Sequence, residues 1–406
     1  LERTPAGKQA TRSVSPWEKR VARLLDFLLK FMGKPMINQV EKKPNSKRDI
    51  RFDILKTIGL LCIIFAHVGP ETNILFDIRR FDVILMVIVS GSLYYSSSGS
   101  KKISFWSYLR KRLPRLIAPV WLFMTFFFIS AYFIYSLLSQ PYPFSSEKII
   151  DTFLLLNGIG YVWIIRVFIL VALFASLLLN LYRFCKSEVR FLALLALIYL
   201  GYEFLFDFTQ HHNLRYQILS TLVNDYLFYL ISYGCLFGLG IVLPKLRERA
   251  ILLISGISSI FFLCCAVYYY HQVGHFVSNV EFKYPPRLYY VSYGVFMSFL
   301  AYFIVSKLSV KYNFSGKDNI LTRIVIFIGS STLWIYLWHI FFVYYWQNLC
   351  VQHLPMFASH FIIAFSVVTL GAIAVTYIQK RVISGVVRKT RFGQNNSELL
   401  AILFLK

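Results

Sequence analysis

Residues 51–68 read Arg-Phe-Asp-Ile-Leu-Lys-Thr-Ile-Gly-Leu-Leu-Cys-Ile-Ile-Phe-Ala-His-Val. The run opens charged, continues apolar and holds one histidine near its far end. A helix turns by about 100° and rises by about 1.5 Å per residue, so eleven residues return almost to the starting face. Lys56 and His67 therefore share a face about 16 Å apart along the axis. Asp53, three residues before Lys56, can pair with it. A cation at the water line and an imidazole about half a bilayer deep suit a site entered from one side of a membrane. The spacing predicts a helix around which the other segments form walls and gates.

The composition agrees with a membrane setting. The chain is 57% hydrophobic, 18% aromatic and only 15% charged, with a mean hydropathy of +0.59; soluble domains carry about 25% charged residues. A net charge of +24 raises the question of nucleic acid. The cations, however, cluster in short segments between apolar runs, as in the cytoplasmic loops of polytopic proteins, so nucleic acid is excluded as the expected partner and membrane lipid is expected. Six cysteines form no CxxC or Cys/His pattern, so neither a disulfide framework nor a metal site is expected.

The expected fold is all-α, a polytopic bundle of about ten transmembrane helices. The apolar runs lie near 53–70, 81–98, 116–138, 159–182, 190–206, 225–243, 250–270, 288–306, 323–346 and 358–378, each close to the length a bilayer requires. Their connections divide by charge. Segments 100–115, 183–190, 245–249, 307–323 and the tail hold twenty-one Lys and Arg, the opposite connections only six. Both termini are therefore expected in the cytoplasm. Residues 1–50 form a basic N-terminal extension, of which 1–35 read as an added or mobile arm with a short amphipathic helix at 20–31. Residues 51–380 form the membrane domain and 381–406 a basic cytoplasmic tail. No internal repeat supports an inverted-repeat transporter.

Ionisable groups within spans are costly and mark candidate sites. His67 is either a general base near neutral pH or a structural hydrogen-bond partner of a neighbouring helix; spacing leaves both open. Arg112 and Arg115, one turn apart before the third span, can offer two guanidinium forks to phosphates, or simply anchor the loop. Arg166 lies inside the fourth run and calls for a polar cavity, a carboxylate or an anionic ligand, or else snorkels to the interface if the span starts later. His339, after Tyr336 in the ninth run, is open to a structural or a catalytic role. Ser90, with Gly91, interrupts the second span, where packing is favoured over nucleophilic chemistry. Glu203 heads an outer segment, 203–225; with 271–290 it mixes aromatic and polar residues that suit sugar binding or simply line the membrane interface, where tyrosines gather without a ligand.

Four motifs together resemble the acyltransferase-3 family of polytopic membrane acyltransferases. They are Arg51-x-Asp53-x-x-Lys56 with His67 eleven residues on, Ser90-Gly91, Arg112-x-x-Arg115 followed by Ala118-Pro119-Val120-Trp121, and Tyr336-Leu337-Trp338-His339. Two positions depart from the family's pattern: lysine at 56 stands where arginine is commoner, and Ile84-Leu85-Met86-Val87 replaces an Asp-Leu-Phe-Phe run, with Asp82 two positions early. The resemblance implies transfer of an acyl group, commonly acetyl, from cytoplasmic acyl-CoA to a hydroxyl of an extracytoplasmic glycan, either a surface polysaccharide or a lipid-linked oligosaccharide. It implies His67 and Asp53 in catalysis, and Arg51, Lys56, Arg112 and Arg115 at the donor. Ser90, Arg166, Glu203, Tyr336 and His339 would line the cavity. It also implies a multi-pass protein of the bacterial inner or plasma membrane, in the stand-alone form since no hydrolase-like domain follows residue 380. The rival reading is a transporter or export component for a polysaccharide or lipid-linked glycan, with Arg166, His67 and His339 lining its path.

Overall fold

The computed structural model describes residues 48–69, 73–98, 104–156, 158–211, 217–312, 320–351 and 360–405. The expected arm and amphipathic helix before residue 48, and Lys101, Lys102, His212, Arg215 and Lys317, lie outside these residues. Among the described residues there is helix and no strand. The principal helices are α1 Ile50–Val68, α2 Asp82–Ser98, α3 Phe105–Leu137, α4 Trp163–Cys185, α5 Glu188–His211, α6 Leu219–Lys245, α7 Glu248–Val273, α8 Leu288–Tyr312, α9 Ile320–Ser330, α10 Thr332–Tyr345 and α11 Phe361–Lys389.

Helix α1 begins where Asp49 accepts a hydrogen bond from the Arg51 amide at 3.1 Å, the usual role of an aspartate at an N-cap. Asp53 in its first turn matches the positive end of the helix dipole, and His67 lies in its last turn. Phe52, Leu55, Leu60, Ile63 and Ile64 are buried, and α1 packs against α2, α8, α9, α10 and α11. It is the centre of the bundle. By contrast α5 and α7 turn most of their apolar side chains outward, including Leu200, Phe204, Leu253, Ile260 and Leu263, as a lipid-facing surface does.

Seven helices have the length and composition to cross a membrane, and an eighth crossing results if α9 and α10 count as one bent span. The other two expected spans are α1, with Arg51, Asp53 and Lys56 near one end, and α2, which is 17 residues long. Length and composition alone thus give seven or eight crossings rather than ten. The run 323–346, expected as one helix, is instead broken between Ser330 and Thr332 with a bend of 80°.

Close approach explains Ser90-Gly91. A Cβ on Gly91 would stand 2.1 Å from the Phe237 carbonyl oxygen, and one on Gly240 would stand 2.0 Å from that of Ile88. The α2–α6 crossing therefore admits only glycine at both places. Ser92 Oγ donates to the Gly240 carbonyl at 2.8 Å, and Ser90 Oγ to Met86 in its own helix at 2.8 Å. Packing is the role that the structure gives this motif.

Candidate active site

A helix that ends inside a bundle leaves its last carbonyls without amide partners. At the α9–α10 break these carbonyls recruit the charged end of α1. Arg48 Nη2 donates to Ile326 O at 3.5 Å, Ser330 Oγ to Phe327 O at 3.0 Å and the Ser331 amide to Ile328 O at 3.0 Å. Lys56 Nζ donates to Gly329 O, and Lys380 Nζ to Ser330 O at 3.4 Å. The cations also suit the negative end of the α9 dipole. Asp53, only 3% exposed, ties the group together: it accepts two bonds from Arg48, at 2.6 and 2.9 Å, and lies 3.0 Å from Lys56 Nζ. A Cβ on Gly329 would meet Asp53 at 2.7–2.8 Å, so glycine is required for α9 to come this close.

The other end of α1 carries the imidazole. His67 sits in the last turn, one residue from the helix end, near the far end of the run as the sequence indicates. Its ring stacks on that of His339, with centroids 5.4 Å apart at 30°, and meets the Tyr161 ring edge-on at 4.8 Å. His339 is fully buried. Its Nδ1 is bonded to the Tyr336 carbonyl; because a carbonyl can only accept, the hydrogen resides on Nδ1 and Nε2 keeps its lone pair. That Nε2 is buried with no partner among the described residues. The Tyr336 hydroxyl donates to the Tyr161 carbonyl, which fixes the segment before α4 against α10. Two imidazoles and two tyrosines thus converge, and His339 Nε2 is an acceptor with nothing to accept from.

The remaining candidates separate. Asp53 is fourteen residues from His67, about 21 Å along the axis, so it balances the cations and does not touch the imidazole. Arg51 holds Asp49 in a fork at 2.6–3.1 Å and lies over the Tyr302 ring. Arg112 is exposed, whereas Arg115 is half-buried with an unpartnered Nε and has Glu398 in electrostatic reach. Residues 401–405, which follow Glu398 closely, pack on α3 and anchor to α10: Trp334 Nε1 donates to Leu403 O at 3.1 Å. Arg166 meets no carboxylate among the described residues and lies over Tyr226 and Tyr229, 5.5 and 5.6 Å from the ring centres. Glu203 pairs with Arg287 at 2.6 Å and accepts from the Leu288 amide at 2.7 Å. It caps α8 and is not part of the histidine cluster.

Residues 49–378 match the profile of a family described as an acyltransferase domain, Acyl_transf_3. The chain belongs to the acyltransferase-3 family. No curated protein and no solved structure matches it significantly. This membrane acyltransferase has Arg51, Asp53 and Lys56 toward one end of α1 and, at the other end, His67 stacked on His339 of α10.

Several polar groups of the acyltransferase near His67 were not among the site residues expected from the sequence. Arg79, 7% exposed, pairs with Asp82, 1% exposed, at 3.0 Å. Arg80 donates to Asn279 at 3.0 Å and pairs with Asp77. Lys283 lies over the rings of Trp163 and Tyr284, at 5.3 and 5.1 Å. Burial drives its pKa below the ordinary lysine value, helped by Arg79 and Arg80 and opposed by Asp82. Lys283 and Arg79 are both within electrostatic reach of His67. The available signal was the density of Arg79, Arg80 and Asp82 at the start of α2, where hydropathy separates the two arginines as loop from the carboxylate in the span. Tyr161 had none, because its contact with His67 joins distant parts of the chain.

Proposed function

We propose that this acyltransferase moves an acyl group, most simply acetyl, from cytoplasmic acyl-CoA to a hydroxyl of an extracytoplasmic or cell-surface polysaccharide. The observation that carries the reading is the His67–His339 pair, whose unpartnered Nε2 stands at the opposite end of α1 from the Asp53–Lys56 group. The excess of cations in one set of connections supports a cytoplasmic setting for the Lys56 end and for both termini, with the membrane taken to be the inner membrane of a bacterium. Donor and acceptor would then approach from opposite faces. Arg112 and Arg115 are the cations available to the donor phosphates. Lys56 and Arg51, engaged with protein groups, hold the bundle at that mouth instead.

In the transfer, an imidazole lone pair of His67, or His339 Nε2, takes the acceptor hydroxyl proton as the oxygen attacks the acyl carbon. The carbon–oxygen bond forms, the carbon–sulfur bond breaks, and the proton passes to the departing CoA sulfur. Placement of both imidazoles in one contact allows one to orient the other. Membership of an acyltransferase family favours this over glycan export. The test is compositional. Cells lacking the gene should lose ester-linked acyl groups from a surface glycan while retaining the polymer, and the His67→Ala protein should not restore them. Full restoration by His67→Ala, or unchanged esters on every surface polymer, would overturn the proposal.

A further inference from the structure

Two half-buried cations at the histidine end of the bundle make no ion pair among the described residues. Lys283 is the first. Arg79 and Arg80 each pair with a carboxylate, in Asp82 and Asp77, whereas Lys283 contacts aromatic faces and has Asp82, already paired with Arg79, only within electrostatic reach. Arg166 is the second, with Tyr226 and Tyr229 beneath it. The two are joined by a shared wall. Trp163 and Arg166 are three residues apart on α4 and so lie on one face. Trp163 contacts Tyr284 edge-on at 5.0 Å, and Tyr284 is within electrostatic reach of Tyr229. Two residues before Trp163, Tyr161 touches His67. A strip from His67 through Tyr161 and Trp163 to Arg166 thus borders the proposed acceptor side.

The same region holds polar groups with nothing to bind. Tyr233 on α6 and Tyr290 on α8 are both 0% exposed, and their hydroxyls have no partner among the described residues. Both lie within electrostatic reach of Asp82 and Tyr284. Arg79 Nε is likewise buried and unpartnered. Leaving a buried hydroxyl unbonded is costly, and native interiors seldom do so without a ligand or water to complete the site. Cations over aromatic faces, with spare hydroxyl and guanidinium hydrogens, suit a sugar ring bearing a negative group.

We propose that the acceptor of this acyltransferase is an acidic glycan, whose carboxylate or phosphate is held by Lys283 and Arg166 beside the wall of Trp163 and Tyr284. The inference rests on the acyl-transfer function proposed above. The acidic group would sit on the acceptor sugar or on its neighbour, and it would orient a hydroxyl toward His67. A glycan is favoured over a lipid headgroup because the strip leads to His67.

The experiment uses the full chain in phosphatidylcholine proteoliposomes, with acetyl-CoA and two acceptors: a uronic-acid oligosaccharide and its carboxyl-reduced form. A phosphorylated oligosaccharide distinguishes the two anions. The acidic acceptor should have the lower KM. Lys283→Gln and Arg166→Gln should each erode that preference by about ten-fold, while Lys283→Arg should keep it. Equal KM values for acidic and reduced acceptors in the native protein would overturn the inference, as would variants that raise both KM values alike. Competition by added anionic lipid in place of any acceptor preference would assign the cations to a headgroup and also overturn it. Transfer to neutral glycans alone refutes the acidic acceptor and leaves acyl transfer standing. No transfer to any glycan, with acetyl-CoA unconsumed, refutes both.

Discussion

Replacing Asp53 by asparagine is expected to destabilise the protein by about 3–5 kcal/mol, the usual result of removing one partner from a buried ion pair. The figure follows from exposure. Side-chain exposure is 4% for Asp53 and 17% for Lys56, so the Lys56 ammonium would be left with a carbonyl and little water. Arg48, at 50%, can return to solvent and adds little. Lys56→Met should cost less, about 1–3 kcal/mol, since Asp53 keeps Arg48 and only the Gly329 carbonyl loses its donor. Asp53→Asn combined with Lys56→Met should fall short of the sum by a coupling of about 0.5–3 kcal/mol. Unfolding in detergent micelles gives the stabilities, and calorimetric titration with acyl-CoA gives the donor affinity of the same samples. Lys56→Met that leaves stability intact while weakening donor binding ten-fold would refute the reasoning and assign Lys56 to the cofactor.

Three further outcomes are expected. His67→Ala should lower acyl transfer by about 10²–10⁴-fold, as loss of a general base does, with the acyl-CoA dissociation constant unchanged by titration; equal weakening of donor binding would contradict it. Gly240→Ala should destabilise by about 1–3 kcal/mol or more through overpacking against Ile88, measured as a fall in Tm in detergent, and a neutral result would show that α2 and α6 can separate. Lys283, with Arg79, Arg80 and Asp82 around it, has a pKa lowered by burial. It should therefore lose its charge as pH rises, before an exposed lysine would, so KM for an acidic acceptor should climb on the alkaline side. In Lys283→Arg that rise should vanish, because guanidinium stays protonated; a KM flat with pH in the native protein would remove Lys283 from the acceptor site.

The all-helical membrane fold was legible because long apolar runs and clustered cations follow directly from the bilayer as solvent. The centrality of 51–68 was legible too, since a helix with Asp53, Lys56 and His67 is too polar to face lipid. The Asp53–Lys56 pair was legible from its spacing; Arg48 and the Gly329 carbonyl, which complete the group, were not. Hydropathy merges residues 323–346 into one run, and only Gly329-Ser330-Ser331 hints at the break that presents carbonyls to Lys56 and Lys380. The Ser90-Gly91 packing role was readable because small residues have few other uses in a span. Arg166 could be picked out as an expensive charge and Glu203 as part of an outer segment, but their partners, Tyr229 and Arg287, lie more than sixty residues away in the chain. The contact of Tyr161 with His67 depends wholly on the tertiary arrangement.

The break between α9 and α10 also bears on how mutational data for this protein should be interpreted. Tyr336 and His339 are set five and eight residues beyond Ser331, so the direction of α10 decides where the imidazole lies. That direction is held by Arg48, Asp53 and Lys56, at the far end of α1 from His67. A scan scored on product alone would therefore group Asp53, Lys56 and Gly329 with the histidines as equally indispensable. Scored on abundance as well, the same scan would split into two phenotypes: low-yield protein at the hinge, and well-folded, inert protein at His67 and His339.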